Sequence, residues 1–288
     1  MGARVALVTI TAMTPQLIGV DFSSAPSRRK PIVVALGHLL GTAGPLRLHS
    51  LQRFDSLPAF GQWLAQTPAW LGGFDLPFGL PRELVTHLAW PTDWAACMDH
   101  YCALERSSIR DSFAAFCAAR PVGGKFAHRA CDGPAGSSPS MKWVNPPVAY
   151  MLHAGVPLLR AAGTWLPAHQ PPPAGPKAPA RVALEAYPGL LARALVGHRS
   201  YKSDTAAKQT ADRLIARKDL IEALEQGRSP LGQRLKLSAA QRDALADDAR
   251  GDALDAVLCL MQVAWAAQRA SYGLPDKLDF LEGWIVSA

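Results

Sequence analysis

Five acidic residues lie inside apolar segments or at their ends. They occur in IGVDFSS (Asp21), GGFDLPFG (Asp75), VALEAYP (Glu185) and GDALDAVLCL (Asp252 and Asp255). An ionised carboxylate that is buried without a partner costs several kcal/mol or more, so each needs a cation, a hydrogen-bond donor or water. Asp252 and Asp255 are three residues apart, so they face one side of a helix.

Metal-assisted hydrolysis of a phosphodiester is the chemistry that this set could perform. Magnesium and manganese are hard ions that prefer several oxygen ligands. Two such ions about 4 Å apart can clamp an in-line attack on a phosphodiester. We therefore predict Asp21, Asp75, Glu185 and Asp255 as ligands of Mg²⁺ or Mn²⁺, with Asp252 as a further catalytic carboxylate.

Each of these acids also has an ordinary structural explanation. Asp21 could cap the turn formed by the two serines after it, and Asp75 could form an Asx-turn before Leu-Pro. Glu185 could pair with the arginine four residues before it. Asp252 lies near a helix start, where the helix dipole favours acids. Asp255 is the hardest to explain in this way, because it lies in the second turn among apolar residues.

Basic and aromatic residues are interleaved in the middle of the chain, and this pattern suits phosphate contacts combined with base stacking. We predict Arg129, Lys142, Tyr201 and Lys202 as contacts to a nucleic acid, DNA or RNA. The formal net charge of +7 favours a polyanionic partner, although ordinary solubility explains it equally well. The full set is Lys125, Phe126, His128, Arg129, Lys142, Trp143, Tyr150, His198, Arg199, Tyr201, Lys202 and Lys208.

The composition is that of a globular protein with Pro-rich loops. Of the 288 residues 49% are hydrophobic and 18% charged, which excludes a disordered chain. The five cysteines include no C-x-x-C pair, so we expect reduced thiols, no zinc site and a cytoplasmic location. No apolar run reaches the roughly 18 residues of a membrane span, and residues 3–13 make a poor signal peptide.

Apolar runs and turn signals predict five strands, and a helix separates the third strand from the fourth. The strands are predicted over 17–22, 31–40, 45–54, 70–75 and 182–186, with a short closing strand over 284–286. Helices are predicted over 55–66, 82–89, 93–105, 108–119, 188–196, 205–226, from 238 and over 248–270. Low-complexity sequence at 167–180 excludes regular structure there, because proline removes donors and fixes φ.

This order predicts an α/β fold with a mixed sheet, in which three antiparallel strands precede parallel strands and helices cover both faces. Ligands in such sheets gather at the carboxyl ends of strands. We predict an N-terminal extension over 1–16 and a single domain over 17–286. Residues 90–180 form an insertion that we expect to carry substrate contacts.

The motifs GVDFSS, GGFDLPFGLP, LEAYPG, SYK, GDALDAVL and EGWIV resemble the domain-of-unknown-function family 429, which is described as predicted RNase H-like nucleases. The resemblance runs from about residue 17 to 286. It implies an RNase H-like core with a metal-binding acidic cluster and nuclease activity. It places Asp21 on the first strand, Asp75 on the fourth, Glu185 on the fifth, and Asp252 and Asp255 on the last helix. The D-x-x-D of that helix also resembles the arrangement in Holliday-junction resolvases.

Two other functions remain open at this point. The first is an ATP-dependent phosphotransferase of the related actin and sugar-kinase fold. Against it, the turn over 22–26 contains no glycine for a phosphate loop. The second is a non-catalytic nucleic-acid-binding module, which would need only the basic surface.

Overall fold

A six-stranded mixed sheet organises the protein, whose computed structural model describes residues 15–41, 44–175 and 178–288. The N-terminal extension predicted over 1–16 falls almost wholly outside these residues, as do two positions of the Pro-rich segment. The strand order is β5-β4-β1-β2-β3-β6. The strands are β1 (Gln16–Asp21), β2 (Ile32–Leu39), β3 (Leu46–Phe54), β4 (Trp70–Asp75), β5 (Arg181–Glu185) and β6 (Leu235–Lys236).

The pairing confirms the predicted fold class, an α/β fold with an RNase H-like mixed sheet. Strands β1, β2 and β3 form an antiparallel meander, and β4 and β5 extend the sheet in parallel beyond β1. The prediction missed β6, which pairs in parallel with β3 over only two residues. The closing strand predicted over 284–286 is wrong, since Ile285 makes only an isolated bridge to Glu185.

Ten α-helices and two short 3₁₀ helices are assigned within the described residues. The α-helices are α1 (Leu57–Gln66), α2 (Arg82–His87), α3 (Trp94–Cys102), α4 (Arg106–Ala118), α5 (Asp132–Ala135), α6 (Val148–Ala161), α7 (Pro188–Val196), α8 (Ala211–Gln226), α9 (Ala239–Asp247) and α10 (Asp252–Ala266). The 3₁₀ helices are Ala206–Lys208 and Ala270–Gly273.

The last helix begins four residues later than predicted, because its start is fixed by a turn. Gly251 has a φ of 77°, in the left-handed region that glycine tolerates. The Asp248 carboxylate accepts a hydrogen bond from the Ala253 amide at 2.8 Å. Asp248 therefore caps the helix from outside, and the helix itself starts at Asp252.

The alternation of side chains along β1 separates two apolar cores, one on each face of the sheet. Ile18 and Val20 belong to the core that also contains side chains of α1 to α4 and α6. Leu17 belongs to the core that contains side chains of α7 to α10. Helices therefore cover both faces, as predicted.

Residues 90–180 add helices to the first of these cores. Trp94 donates its indole N–H to the Phe78 carbonyl at 2.8 Å, and Tyr101 donates its hydroxyl to the Ala149 carbonyl at 2.9 Å. Both rings are buried in the core around β1 and β4. Within residues 15–41, 44–175 and 178–288, no helix has the length and apolar character needed to cross a membrane.

Helix α10 lies unusually close to the sheet, because glycines face it from two strands. A Cβ atom on Gly19 would lie 2.7 Å from the Leu260 Cα and even closer to the Ala256 carbonyl oxygen. A Cβ atom on Gly73 would lie 3.0 Å from the Cys259 carbonyl oxygen. Real Cβ atoms essentially never approach other atoms closer than 3.0 Å, so this packing requires glycine at position 19.

Candidate metal centre

Asp21 and Asp75 end the two central parallel strands side by side. They are direct partners in the β1–β4 register. Asp21 has the same parity as Leu17 and Gly19, so its side chain lies on the face covered by α10. Asp75 lies on that face as well, because Leu71, two pleats earlier, packs in the core beside α10. The carboxyl ends of two neighbouring strands thus deliver two carboxylates to one point.

Asp255 completes a triad from the first turn of α10. One carboxylate oxygen from each of Asp21, Asp75 and Asp255 lies within 4.8 Å of the others. Asp255 is fully buried, whereas the two strand aspartates keep part of their surface exposed. The close approach of α10 over Gly19 and Gly73 is what brings the helix carboxylate to the strand ends.

Two neighbouring side chains hold the Asp255 carboxylate in place. The Tyr201 hydroxyl donates to one of its oxygens, and the Lys202 ammonium group donates to the other. The Lys202 side chain remains 42% exposed. Arg217, which is buried, donates to the Tyr201 carbonyl at 2.8 Å and to the Ala246 carbonyl at 2.7 Å. Arg217 therefore anchors the loop that presents both donors.

The triad concentrates negative charge in a place with little water. Burial, followed by the Asp255 charge, raises the pKa of Asp21 well above its usual value. The same two causes raise the pKa of Asp75 to about 7. Burial lowers the pKa of Lys202, but the charges of Asp255, Tyr201 and Asp21 and the hydrogen bond to Asp255 together outweigh it, so the net pKa is well above the usual value. One lysine thus offsets only part of the charge of three carboxylates.

Asp252 stands beside the triad but is not a member of it. It is the first residue of α10 and lines the same cavity as Asp21 and Asp75. Burial, followed by the Asp248 charge, raises its pKa to about 6. Asp252 is therefore a carboxylate of the cavity wall, one helical turn before Asp255.

Glu185 points to the opposite face of the sheet from the triad. It is the β5 partner of Phe74, whose ring lies in the core on the other side from α10. Its carboxylate accepts two hydrogen bonds from the Arg129 guanidinium, at 2.8 and 2.6 Å, and one from the Phe78 amide at 3.0 Å. The structure does not place Glu185 with Asp21, Asp75 and Asp255 in the group that could hold a metal.

The four predicted substrate contacts lie in different settings. Arg129 is 3% exposed and is tied to Glu185 and to Asp132, although its edge lines the cavity. Tyr201 is buried and bonded to the triad rather than open for stacking. Lys202 lines the cavity, whereas Lys142 is not among the lining residues. Of the four, Lys202 is the cation most open to a ligand.

A cavity of about 540 Å³ opens over the triad. Its walls come from the ends of β1, β4 and β5, from the loops that precede α8 and α10, and from the insertion. Sequence reasoning missed several of its members, among them Lys30, Ser137, Ser138, Val148, Met151, Asp204 and Arg250. The sequence could have indicated Lys30, since this residue ends an Arg-Arg-Lys run after the first strand. It gave no such indication for the insertion residues.

The donor set of the triad fits a hard divalent cation. Magnesium binds carboxylate oxygens at about 2.0–2.1 Å, so two ligands on opposite sides of one ion are about 4 Å apart. The spacing of up to 4.8 Å is close to this. The group consists of carboxylate oxygens, the ligand type that hard cations such as magnesium and manganese prefer.

Comparison with known proteins shows the family of the chain. Neither the curated proteins nor the solved structures contain a significant match to the chain. A family model described as "Protein of unknown function (DUF429)" matches residues 19–279. The match covers most of the 288 residues and includes all three aspartates of the triad, which confirms the resemblance drawn from the motifs. The chain therefore belongs to the DUF429 family.

Proposed function

We propose that the protein is a divalent-metal-dependent nuclease that hydrolyses phosphodiester bonds of nucleic acid. The observation that supports this most directly is the triad. Asp21, Asp75 and Asp255 come from three separate elements, and their carboxylate oxygens lie within 4.8 Å of one another. Asp21 and Asp75 line a cavity, and Asp255 is buried behind them. Magnesium or manganese is the cofactor in this proposal.

The three aspartates would hold the cation, and the fold holds each of them in position. Asp21 and Asp75 are fixed by the β1–β4 register. Asp255 is fixed by α10 and by the donors Tyr201 and Lys202. When bound, a divalent ion supplies positive charge that stabilises the phosphate in the transition state and favours deprotonation of water.

The residues around the triad have matching roles in the proposal. Hydrolysis joins the water oxygen to phosphorus and breaks one ester P–O bond. The leaving oxygen takes up a proton, so the products are a phosphate monoester and a hydroxyl. In this proposal Asp252, a carboxylate of the cavity wall, accepts a proton from the attacking water. Lys202 attracts the phosphate, which is supported by its partly exposed side chain in the lining of the cavity.

The test combines metal binding with cleavage, using Asp21→Asn as the main variant. This change removes the negative charge of one metal ligand. It leaves Tyr201 and Lys202, the hydrogen-bond partners of Asp255, in place. We expect Mn²⁺ binding, followed by electron paramagnetic resonance, to weaken at least tenfold. Cleavage of labelled DNA and RNA should fall at least 100-fold, while binding of the same oligonucleotides persists. Asp276→Asn, at an exposed site, is the matched control.

Other results would exclude the proposal. If wild-type protein binds Mn²⁺ but cleaves neither DNA nor RNA, the nuclease assignment is wrong. ATP hydrolysis that needs no nucleic acid would favour a phosphotransferase instead. Oligonucleotide binding that is indifferent to metal and to Asp21→Asn, with no turnover, would indicate a binding module.

A further inference from the structure

The cavity over the triad has a second, apolar wall that the catalytic proposal does not use. Helix α6 and the loop before it supply Pro146, Pro147, Val148 and Met151. Val148 and Met151 are only half-buried, although they belong to an otherwise apolar face. The acidic floor and this wall therefore line one continuous space.

Packing contacts connect the helix of this wall to the strand ends that carry two of the triad aspartates. A Cβ atom on Gly155 of α6 would lie 2.9 Å from Leu76 and 3.3 Å from Phe22. These two residues directly follow Asp75 and Asp21 in sequence. Met151 is four residues before Gly155, so it lies on the same helix face about 6 Å along the axis. Helix α6 therefore packs against the residues that follow the two strand aspartates, and Met151 lines the same cavity as those aspartates.

The size and polarity of the cavity limit what can enter it. A volume of about 540 Å³ lies in the range of small-molecule sites, about 300 to 1,000 Å³. A space of this size is comparable to that of one or two nucleotides. Ser137 and Ser138 line the space beside the wall and can bond to base or sugar atoms. Lys30, Lys202 and Arg250 supply positive charge around it.

We propose that this wall is a nucleobase subsite and that the substrate is an unpaired nucleotide of single-stranded nucleic acid. The inference rests on the proposed nuclease function and adds the substrate class to it. The phosphate lies over the triad and Lys202, and the base lies against Val148 and Met151. Contact of a base face with apolar side chains does not read base identity, so the subsite favours unpaired bases without a sequence preference.

The test uses binding, so that it does not depend on turnover. Fluorescence anisotropy is measured with a labelled 12-nucleotide single strand and with the blunt duplex of the same sequence. The Asp21→Asn protein is used for both, so that neither substrate is cleaved. We expect the single strand to bind at least tenfold more tightly than the duplex. Both are measured at the same ionic strength, because phosphate contacts are salt-dependent.

Val148→Asp in the same background probes the wall. An acid at the first residue of α6 is favourable for the helix, but it brings negative charge and polarity to the base. We expect single-strand binding to fall about tenfold. Val122→Asp is the matched control, because Val122 belongs to the same insertion, is 93% exposed and does not line the cavity. Val148→Ile should bind as well as the parent, and equal melting temperatures would show that all variants fold.

The outcomes separate this inference from the nuclease proposal. Equal binding of strand and duplex, or unchanged binding in Val148→Asp, overturns the subsite while leaving metal-dependent cleavage possible. Mn²⁺ binding by otherwise wild-type Val148→Asp should be unchanged. A loss of Mn²⁺ binding in that protein would show that the wall acts on the metal centre and would also overturn the subsite. Absence of any cleavage by wild-type protein refutes the nuclease proposal, whereas the binding measurements still decide whether the wall is a nucleobase subsite.

Discussion

Replacing Asp75 by asparagine should stabilise the metal-free protein at alkaline pH. Burial and the Asp255 charge raise the pKa of Asp75 from 3.8 to about 7. The folded protein therefore holds the Asp75 proton more tightly than the unfolded chain does. The stability that this proton provides is complete below pH 3.8 and is lost as pH rises to about 7. Asparagine keeps the shape of the side chain and removes this ionisation.

The magnitude follows from the two pKa values. At about 1.36 kcal/mol for each pKa unit, the difference between 3.8 and about 7 corresponds to roughly 4 kcal/mol above pH 7. The substitution does not recover all of this free energy, because the asparagine amide must also fit between Asp21 and Asp255. We expect Asp75→Asn to raise the free energy of unfolding by about 2–4 kcal/mol at pH 8 and by little at pH 4.

Urea denaturation of wild-type and variant protein, followed by circular dichroism with chelator present, measures this difference. Taking the difference between the two proteins at each pH cancels the titration of other groups. The exposed Asp276→Asn variant should show no difference from wild type. Adding Mn²⁺ should reduce the difference at pH 8, because a ligand at 100 times its Kd stabilises by about 2.7 kcal/mol and the variant has lost a metal ligand.

Two results would refute the reasoning. If Asp75→Asn is less stable than wild type at pH 8 without metal, burial and the Asp255 charge do not destabilise the ionised Asp75 carboxylate in the folded protein. If the difference between the two proteins is the same at pH 4 and pH 8, ionisation of Asp75 is not its cause. Either result would mean that the three carboxylates do not share the close geometry described above.

Two substitutions away from the carboxylates test the framework around them. Gly19→Ala should destabilise the protein by about 1–3 kcal/mol, because overpacking against helix backbone cannot relax easily. It should also weaken Mn²⁺ binding, measured by titration calorimetry, whereas Gly133→Ala should do neither, since a Cβ atom there meets nothing within 4 Å. Arg129→Met should cost about 3–5 kcal/mol by leaving Glu185 buried without its partner. Adding Glu185→Gln to Arg129→Met should restore part of that loss in thermal unfolding, and a double variant no more stable than the single one would contradict this.

The central strands were predictable because their apolar runs are long enough to show a pattern. Strand β1 carries four consecutive apolar residues before Asp21, and β4 has a similar run before Asp75. Strand β6 has only Leu235 and Lys236, and two residues are too few to show an alternation of apolar and polar side chains. Its existence depends on the exposed edge of β3, which lies far away in sequence.

The face on which Glu185 lies could not be predicted, because it depends on register between strands. Alternation within β5 separates Val182 and Leu184 from Ala183 and Glu185. The sequence does not say which set faces the last helix, since that follows from the pairing with β4. Asp255 was predictable because a carboxylate among apolar residues needs a specific partner. Its actual partners, Tyr201 and Lys202, come from a loop that no local pattern connects to it.

The metal centre is held together by apolar packing rather than by the groups that form it. Side chains of α10 such as Val257, Leu260 and Val263 are fully buried, and each contributes about 1.5–3 kcal/mol. Three such residues exceed the roughly 4 kcal/mol by which the raised pKa of Asp75 opposes folding above pH 7. The helix can therefore keep Asp255 beside the strand aspartates without a cation. The acidic triad is therefore already assembled without metal, and in the proposed function a cation would bind without having to draw α10 and the strand ends together.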